Sequence, residues 1–568
     1  MATIIVQPGG PRADRQRLNL TAIAHNRLML LLILFLGIST ILIGRLLWVG
    51  IFAHGGQGDG VLSAFLPARA DIVDRNGVPL ARTMDAYSIA VRPSKLIGEP
   101  AELARKLHEI FPDEGEAVFY KKLTGRGWAY LRRRALPEEV AAVNALGEIG
   151  IEFPREKERL YPQRTLAAHV LGFAPNADGA GGMGVEAAFN DRLTDAAQRG
   201  QPFAISIDSR VQGALESELY AQLVAQKAKG AGGVILDANS GEVIAMASIP
   251  VFDPNKLQNY AGKTCSESPL CNHMVQARYE MGSSFKPLAI AAAMDAGVVT
   301  SMSKRYDATA PLAVAGFRIK DDHSLGRWVN VPEILVHSSN IGTARIADEM
   351  GAAPLQKMFR SLDFDQRAPI EFNERARGIW PSSWGRITTM TVSYGHGIAV
   401  TPLHLATAYA ALVNGGIWRP ATVRKLRPDE VPEGRRVFTA ATSARMRQLL
   451  RMIVSAGTGR SADAKGFRVG GKTGSAEKPQ EGRYNKTSLV TTFASAFPMD
   501  NPRYVVLVVM DEATGAFGLR TAAWTAAPVV KRVVERTGPM LGVMPDERRD
   551  VDISDLMPLL WKPKGETE

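Results

Sequence analysis

The chain opens with a long, uninterrupted apolar stretch. Residues 28–44 carry no charge, and the apolar pattern resumes after Arg45 and continues to Phe52. A stretch of this length predicts a membrane-spanning helix rather than a core helix. Residues 1–27 contain four arginines and one aspartate. By the positive-inside rule this charge bias predicts a cytoplasmic tail at 1–27, an anchor at 28–52, and everything later outside the cytoplasm.

A cleaved signal peptide is the alternative for this segment, because Ala68-Arg69-Ala70 mimics a small-x-small cleavage site. That site lies too far beyond the apolar stretch, so the sequence favours an uncleaved anchor.

The glycine-rich residues 55–60 then predict a flexible break. Residues 53–205 mix short strands, such as 87–91, with charged helices at 102–110 and 137–146, and they show no catalytic cluster. They predict an elongated pedestal domain with a turn-rich loop at 175–182.

The pattern of a second domain begins near residue 206. Asp208 can cap a helix whose apolar residues recur every fourth position from Val211 to Leu223. Hairpin signals follow at 233–247 and again at 491–510, with a helix predicted at 522–535. Strands at both ends of a mostly helical segment predict an α+β domain over 206–545, with a central antiparallel sheet flanked by helices. The polar, proline-bearing residues 546–568 are expected to form a loose tail.

Composition excludes several classes of protein. Hydrophobic residues make up 46% and charged residues 22% of the 568 residues, so the chain is neither disordered nor a polytopic membrane protein. The net charge of +11 comes without long basic runs, so no nucleic-acid partner is expected. Arg132-Arg133-Arg134 predicts a solvated face, with an anionic partner or lipid as the alternative.

A nucleophile motif is predicted at Ser283-Ser284-Phe285-Lys286, which precedes a buried-helix pattern. Residues i and i+3 share a helix face, and a neutral lysine there can take the proton of a serine hydroxyl. A helix N-terminus also offers free N–H groups to an oxyanion. The spacing recurs at Ser301 and Lys304, but that match sits in a polar stretch and is interpreted as coincidence.

Two further motifs follow in the chain. Ser338-Ser339-Asn340 precedes a helical run and by itself is equally explained as an N-cap. Lys472-Thr473-Gly474, followed by Ser475, lies on a glycine-flanked strand where a substrate backbone could approach closely; an edge strand with a protective lysine is the alternative. Serine-x-x-lysine, serine-x-asparagine and lysine-threonine-glycine in this order are the motifs of penicillin-binding proteins and class A β-lactamases.

With these motifs the chain resembles the class B penicillin-binding proteins, the monofunctional peptidoglycan D,D-transpeptidases, from the anchor to about residue 540. Supporting stretches include 68–81, 159–173, 241–255 and 279–287, and residues 393–416 and 457–476 look most like the division-specific branch. The elongation branch is the alternative. Ala70-Asp71 departs from the commoner arginine-glycine pair, and Ser475 stands where threonine is usual.

The resemblance implies a mechanism. Ser283 would attack the penultimate D-alanine of a D-Ala-D-Ala stem peptide, with Lys286 as base, and β-lactams would acylate the same serine. Ser338 and Asn340 would relay a proton and bind the peptide. Lys472, Thr473, Gly474 and Ser475 would form the substrate-binding strand, with backbone N–H groups of Ser283 and Ser475 as the oxyanion hole. No metal or cofactor is implied. The implied partners are a membrane glycosyltransferase of the shape, elongation, division and sporulation (SEDS) family and other division proteins, at the bacterial inner membrane.

Other readings remain for single residues and for the whole chain. Cys265 and Cys271 predict a disulfide or two free thiols, and with His273 they make a poor metal set. His396 is expected to pack or line a cleft. A hydrolase is the first rival, although only Glu371-Phe372-Asn373 approaches the deacylating motif of class A β-lactamases. A non-catalytic β-lactam sensor or scaffold is the second.

Overall fold

The computed structural model describes residues 12–52, 67–174, 181–257, 265, 268–480, 483–515 and 518–561. The predicted glycine-rich break at 55–60 and residues 175–180 of the predicted loop lie outside the described residues. The chain divides into two compact units, Met1–Leu66 and Pro67–Glu568.

The first unit contains a single described helix, α1, at Arg12–Phe52. Within it, Ala22–Arg45 has a mean hydropathy of 2.4 and no side chain of this stretch is buried in the protein. Those 24 residues span about 36 Å, which exceeds the hydrocarbon core of a bilayer. The helix therefore fits a single membrane span, and it begins well before residue 28, where the sequence places the start of the anchor.

The pedestal is built on a sheet in which β2 is the central strand. Strands β3, β4 and β5 all pair antiparallel with β2, while β1 pairs antiparallel with β2 and parallel with β6. The strands are β1 Ile72–Val73, β2 Pro79–Val91, β3 Ala129–Ala135, β4 Ile151–Glu152, β5 Arg155–Leu160 and β6 Phe203–Ala204. The helices are α2 Pro100–Ile110, α3 Glu116–Leu123, α4 Pro137–Asn144, α5 Ala168–Leu171, α6 Gly184–Ala188 and α7 Asn190–Thr194. Leu103, Leu107 and Phe119 of α2 and α3 share one core with Ile89 and Val91 of β2.

A buried charge cluster fixes the base of the pedestal. The Glu186 carboxylate accepts hydrogen bonds from Arg69 Nε at 2.5 Å, Arg159 Nε at 2.8 Å and the Tyr161 hydroxyl at 3.2 Å. The side chains of all three charged residues are fully buried. Because a buried charge without its partner is strongly destabilising, this cluster holds α6 against the start of the pedestal.

The second domain has the predicted α+β architecture. Its five-stranded antiparallel sheet has the order β15-β16-β17-β7-β8. The strands are β7 Gly230–Asp237, β8 Val243–Ile249, β15 Gly470–Gln480, β16 Arg483–Phe497 and β17 Tyr504–Asp511. Smaller strand pairs are β9 Arg305–Ala308 with β12 Arg327–Asn330, β10 Leu312–Val314 with β11 Phe317–Ile319, and β13 Ile417–Trp418 with β14 Arg435–Arg436.

Helices cover both faces of the central sheet. The helices of this domain are α8 Ser209–Gln226, α9 Lys286–Asp295, α10 Val331–Val336, α11 Asn340–Met350, α12 Ala352–Ser361, α13 Arg386–Ser393, α14 Pro402–Val413, α15 Ala440–Ala456, α16 Ala522–Thr525 and α17 Ala527–Thr537. Successive residues of a strand face opposite sides, so Val505 and Leu507 of β17 join the core with α9 and α14, while Val506 and Val508 join the core with α8 and α17. The nucleophile helix α9 is thus buried in the core on one side of the sheet.

The prediction of a loose tail is wrong for residues 546–561. Leu556 is fully buried in the main core, and Val551, Ile553, Leu559 and Leu560 pack against that core. These few apolar residues stand among charged residues and beside Pro558, so the polar composition of the segment outweighed them in the sequence. We call residues 546–561 the strap.

Candidate active site

Ser283 and Lys286 lie where a tight turn becomes a helix. Gly282–Phe285 form a 3₁₀ turn that leads directly into α9, whose first residue is Lys286. Ser283 is partly exposed, whereas Lys286 is fully buried. The hydroxyl of the next residue, Ser284, is buried and donates to the Met281 carbonyl at 2.7 Å. The turn therefore presents one serine to the surface and fixes the other inside.

The alternative serine-x-x-lysine match has ordinary surface chemistry. Ser301 is exposed, and Lys304 Nζ pairs with the Glu349 carboxylate at 2.5 Å.

Glycines let the nucleophile turn lie directly on strand β15. A Cβ at Gly282, whose φ is +52°, would overlap the carbonyl oxygen of Ser475. A Cβ at Gly474 would likewise overlap the carbonyl oxygen of Met281. Only glycine permits this approach, so the turn that carries Ser283 and the strand that carries Ser475 have their backbones in contact.

Ser338 brings the two motif lysines together. Its hydroxyl oxygen accepts a hydrogen bond from Lys286 Nζ at 3.1 Å and from Lys472 Nζ at 2.9 Å. Lys286 also donates to the Ser338 carbonyl oxygen. Ser338 has a φ of 59°, a left-handed conformation that residues with side chains rarely adopt. The hydroxyl proton of Ser338 is thereby left free to be donated elsewhere.

The environment of both lysines disfavours their charged forms. Burial lowers the pKa of Lys286 to about 7, although the nearby Asp321 and Asp322 carboxylates act in the opposite direction. Burial also lowers the pKa of Lys472 well below its usual value, and the charge of Lys286 lowers it further. A lysine with a pKa near neutrality can exchange a proton with a hydroxyl group.

The second motif both caps a helix and contributes side chains to the site. Ser339, not Ser338, is the N-cap of α11, and its hydroxyl accepts from Gly342 N at 3.0 Å. Asn340 is the first residue of α11, and its side-chain amide donates to the Lys320 carbonyl at 2.9 Å. The capping interpretation and the site interpretation of this motif thus apply to different residues.

Asp321 is a residue of this site that the sequence did not reveal. Its carboxylate accepts from the Ser339 hydroxyl at 2.8 Å, from Asn340 N at 2.6 Å and from Ile341 N at 3.0 Å. It therefore anchors the first turn of α11 and adds negative charge near Lys286. Its sequence neighbours are polar and without periodicity, so no pattern marked it.

The third motif forms one wall of the site on β15. Lys472 Nζ lies 3.2 Å from Thr473 Oγ1 and is fully buried. Ser475 Oγ accepts from Ala522 N at 3.3 Å. Thr458, an exposed residue that the sequence also did not reveal, places its hydroxyl 3.1 Å from Thr473 Oγ1. A group of hydroxyls beside a lysine suits the binding of a carboxylate.

A cavity of about 580 Å³ continues from the end of this wall, and Tyr279, Glu280, Ala476 and Lys478 are among its lining residues. His396 stands near its edge, with Nδ1 at 3.3 Å from the Glu280 carboxylate. Cys265 and His273 also line this cavity. The structure joins Cys265 to Cys271 in a disulfide, so neither sulfur is a thiolate ligand beside His273.

Comparisons with known proteins agree with this architecture. Residues 231–535 match the penicillin-binding protein transpeptidase domain, and residues 65–196 match the penicillin-binding protein dimerisation domain. The chain is 39% identical over 509 residues to the probable peptidoglycan D,D-transpeptidase FtsI of Caulobacter vibrioides, covering 87% of this chain and 85% of that protein. It is 28% identical over 546 residues to the peptidoglycan D,D-transpeptidase FtsI of Escherichia coli, covering 89% and 90%.

A solved structure shows the same fold. The crystal structure of penicillin-binding protein 3 from Mycobacterium tuberculosis, complexed with aztreonam, superposes with a TM-score of 0.65 at 24% sequence identity, covering 85% of this chain and 98% of that chain.

Proposed function

Because the chain belongs to the class B penicillin-binding proteins of the FtsI type, we propose that Ser283 is the residue through which it works as a septal peptidoglycan D,D-transpeptidase. Enzymes of this family crosslink stem peptides through an acyl-serine and are inhibited by β-lactams. The observation that carries the assignment of residues is the Ser338 hydroxyl, which lies between Lys286 and Lys472 beside the Ser283 turn.

Acylation begins with removal of the Ser283 proton. Lys286 takes this proton in its neutral form, which its lowered pKa makes abundant near neutral pH. Ser283 Oγ then attacks the carbonyl carbon of the penultimate D-alanine of the donor peptide. The backbone N–H groups of Ser283 and Ser475 stabilise the oxyanion, and the close approach at Gly282 and Gly474 supports this pairing.

The leaving D-alanine needs a proton on its amine. Ser338 is placed to give it, since its hydroxyl contacts both lysines and can recover a proton from either. Lys472 and Thr473 hold the terminal carboxylate, whose negative charge restores the protonated form of Lys472. Gly474 and Ser475 continue the binding strand, and Asn340 binds the peptide backbone from the opposite wall.

Crosslinking follows when an amine from a second stem peptide attacks the acyl-serine. Lys286, having passed its first proton through Ser338 to the leaving D-alanine, takes a proton from the attacking amine as the new amide forms. It returns that proton to Ser283 Oγ as the ester bond breaks. The acyl transfer needs no metal or cofactor. A hydrolase would need a base for water. Glu371, the candidate from the sequence, accepts hydrogen bonds from the Thr422 hydroxyl and from Val423 N at 3.2 Å, which makes it a structural carboxylate.

The location and partners extend this proposal. Residues 1–27 lie in the cytoplasm, 28–52 form the anchor and 53–205 the pedestal. Residues 206–545, with the strap packed on them, form the transpeptidase domain, and both domains lie on the extracytoplasmic side of the inner membrane. The pedestal exposes Ile97, Leu136 and Ile149 to solvent. We propose that the anchor and the pedestal contact a SEDS-family membrane glycosyltransferase and other division proteins, and these side chains are candidates for that contact.

Intact-mass spectrometry of the full chain in detergent with benzylpenicillin tests the assignment. The parent chain is expected to gain one drug molecule, Ser283→Ala none, and the matched control Ser301→Ala one. An adduct that persists in Ser283→Ala would overturn the role of Ser283. Consumption of the drug without an adduct would establish a hydrolase instead.

A further inference from the structure

The strap, residues 546–561, is tied along helix α15 by ion pairs. The Asp550 carboxylate pairs with Arg451 at 2.8 Å, and the Asp555 carboxylate pairs with Arg445 at 2.5 Å. Directly after the second pair the strap buries Leu556 completely. The strap is therefore held on the domain as far as Leu556. This attachment sets where the residues after Leu556 lie.

The end of the strap contacts the first turn of helix α10. The Leu559 carbonyl accepts a hydrogen bond from the Asn330 side-chain amide at 2.6 Å. The Trp561 backbone N–H donates to Glu333 Oε1 at 3.0 Å. Arg327 donates to the same carboxylate at 2.7 Å and lies 4.9 Å above the Trp561 ring. The last residues of the strap thus contact the N-cap of α10, Asn330, and the third residue of that helix, Glu333.

Asn330 and Glu333 also form the capping box of this helix. Glu333 N donates to Asn330 Oδ1 at 3.0 Å, and Asn330 N donates to Glu333 Oε2 at 3.0 Å. Both side chains are buried. Each residue therefore serves two functions at once, because it satisfies the helix N-terminus and holds the strap.

Helix α10 connects this capping box to Ser338. It is only six residues long, about 9 Å, and all of its residues are buried. Its end is joined to the motif by hydrogen bonds from Ser338 N to Leu335 O at 3.3 Å and from Ser339 N to Ile334 O at 2.8 Å. Ser338 keeps its left-handed φ of 59° only because its surroundings impose it. A displacement of α10 would therefore move Ser338 relative to the two lysines.

We propose that the strap positions Ser338 for proton transfer through Asn330 and Glu333. The inference rests on the proposed function, in which Ser338 protonates the leaving group. Asn330, Glu333 and the strap are positioning residues, since none of them contacts Ser283, Lys286 or Lys472.

The experiment compares two shortened forms of the full chain. A chain that ends at Pro558 loses both hydrogen bonds, the packing of Leu559 and Leu560 and the Trp561 ring, and it keeps Leu556 and the two ion pairs. A control that ends at Trp561 keeps all of these described contacts. As a second variant, Asn330→Ser keeps a good N-cap residue but lacks the amide that binds Leu559. For each we measure the second-order rate constant of acylation by a fluorescent penicillin and the unfolding temperature, in parent and Ser338→Ala backgrounds.

The chain ending at Pro558 and Asn330→Ser are expected to be acylated about tenfold to a hundredfold more slowly than the control, as a small misplacement of a catalytic group entails. In the Ser338→Ala background the same changes should have no further effect on the rate, because the group they position is absent. Equal rates for the two shortened chains, or an equal loss in both backgrounds, would overturn the proposal. Failure of the control itself to be acylated would instead count against the proposed function.

Discussion

The dependence of acylation on pH follows from the burial of Lys286. With a pKa of about 7, the neutral fraction of this lysine is about 9% at pH 6 and about 91% at pH 8, so the acylation rate should rise about tenfold between them and then level off. A lysine with its ordinary pKa of about 10.4 would give a rate that keeps rising tenfold per pH unit through pH 9. Since Lys472 titrates beside it, the observed midpoint belongs to the pair.

Stopped-flow acylation with a fluorescent penicillin, from about pH 5.5 to about pH 9.5, measures this profile. Lys286→Arg is the control, because a guanidinium retains the positive charge but does not deprotonate in this range. Its rate should be lower by about 10²- to 10⁴-fold and should not follow the parent profile. A parent rate that is constant between pH 6 and pH 8, or that still rises tenfold per unit at pH 9, would refute the role given to Lys286.

Three further variants test other parts of the structure. Gly282→Ala should abolish acylation because its Cβ would overlap strand β15, while circular dichroism should show that the fold is retained. The matched control Gly297→Ala, at a position with a positive φ but with open space around it, should be acylated normally. Equal acylation rates for the two variants would refute this packing. Asp321→Asn should move the midpoint of the acylation profile to lower pH, since it removes a charge that raises the pKa of Lys286. It should also lower the free energy of unfolding by about 1 kcal/mol, because the carboxylate caps α11. A shift of the midpoint to higher pH would contradict the role given to Asp321. Glu186→Gln should lower the free energy of unfolding in urea by about 3–5 kcal/mol, and a loss below about 1 kcal/mol would show that the buried cluster is not structural.

The three motifs and the sheet were predictable because each leaves a local trace in the sequence. Ser283 and Lys286 are one turn apart, and Lys472 and Thr473 are adjacent, so residue spacing alone suggests shared chemistry. The central strands show alternating and continuous apolar patterns between turn residues, and the separation of β7 from β17 along the chain implied tertiary closure. The structure confirms the α+β fold that these patterns predict.

Residues that act through contacts with segments distant in the sequence could not be predicted in this way. Asp321 accepts hydrogen bonds from the next helix, and Thr458 meets Thr473 across a loop. Neither contact imposes a period on the sequence. The strap was missed for the same reason, since Leu556 is buried by tertiary packing within a polar segment. Even the predicted helix at 522–535 is interrupted, because α17 begins anew beside Pro528.

The order of strands in the central sheet determines when, during synthesis, the transpeptidase domain can fold. Strand β7 pairs with β17, which leaves the ribosome on the order of ten to fifty seconds later at ordinary rates of translation. Until then a nascent chain exposes the apolar edge of β7, a surface prone to aggregation. The turn with Ser283 emerges long before β15, on which it must rest. Penicillin binding should therefore appear only after synthesis has passed residue 511, so that prematurely terminated chains are substrates for quality control rather than partly active enzymes.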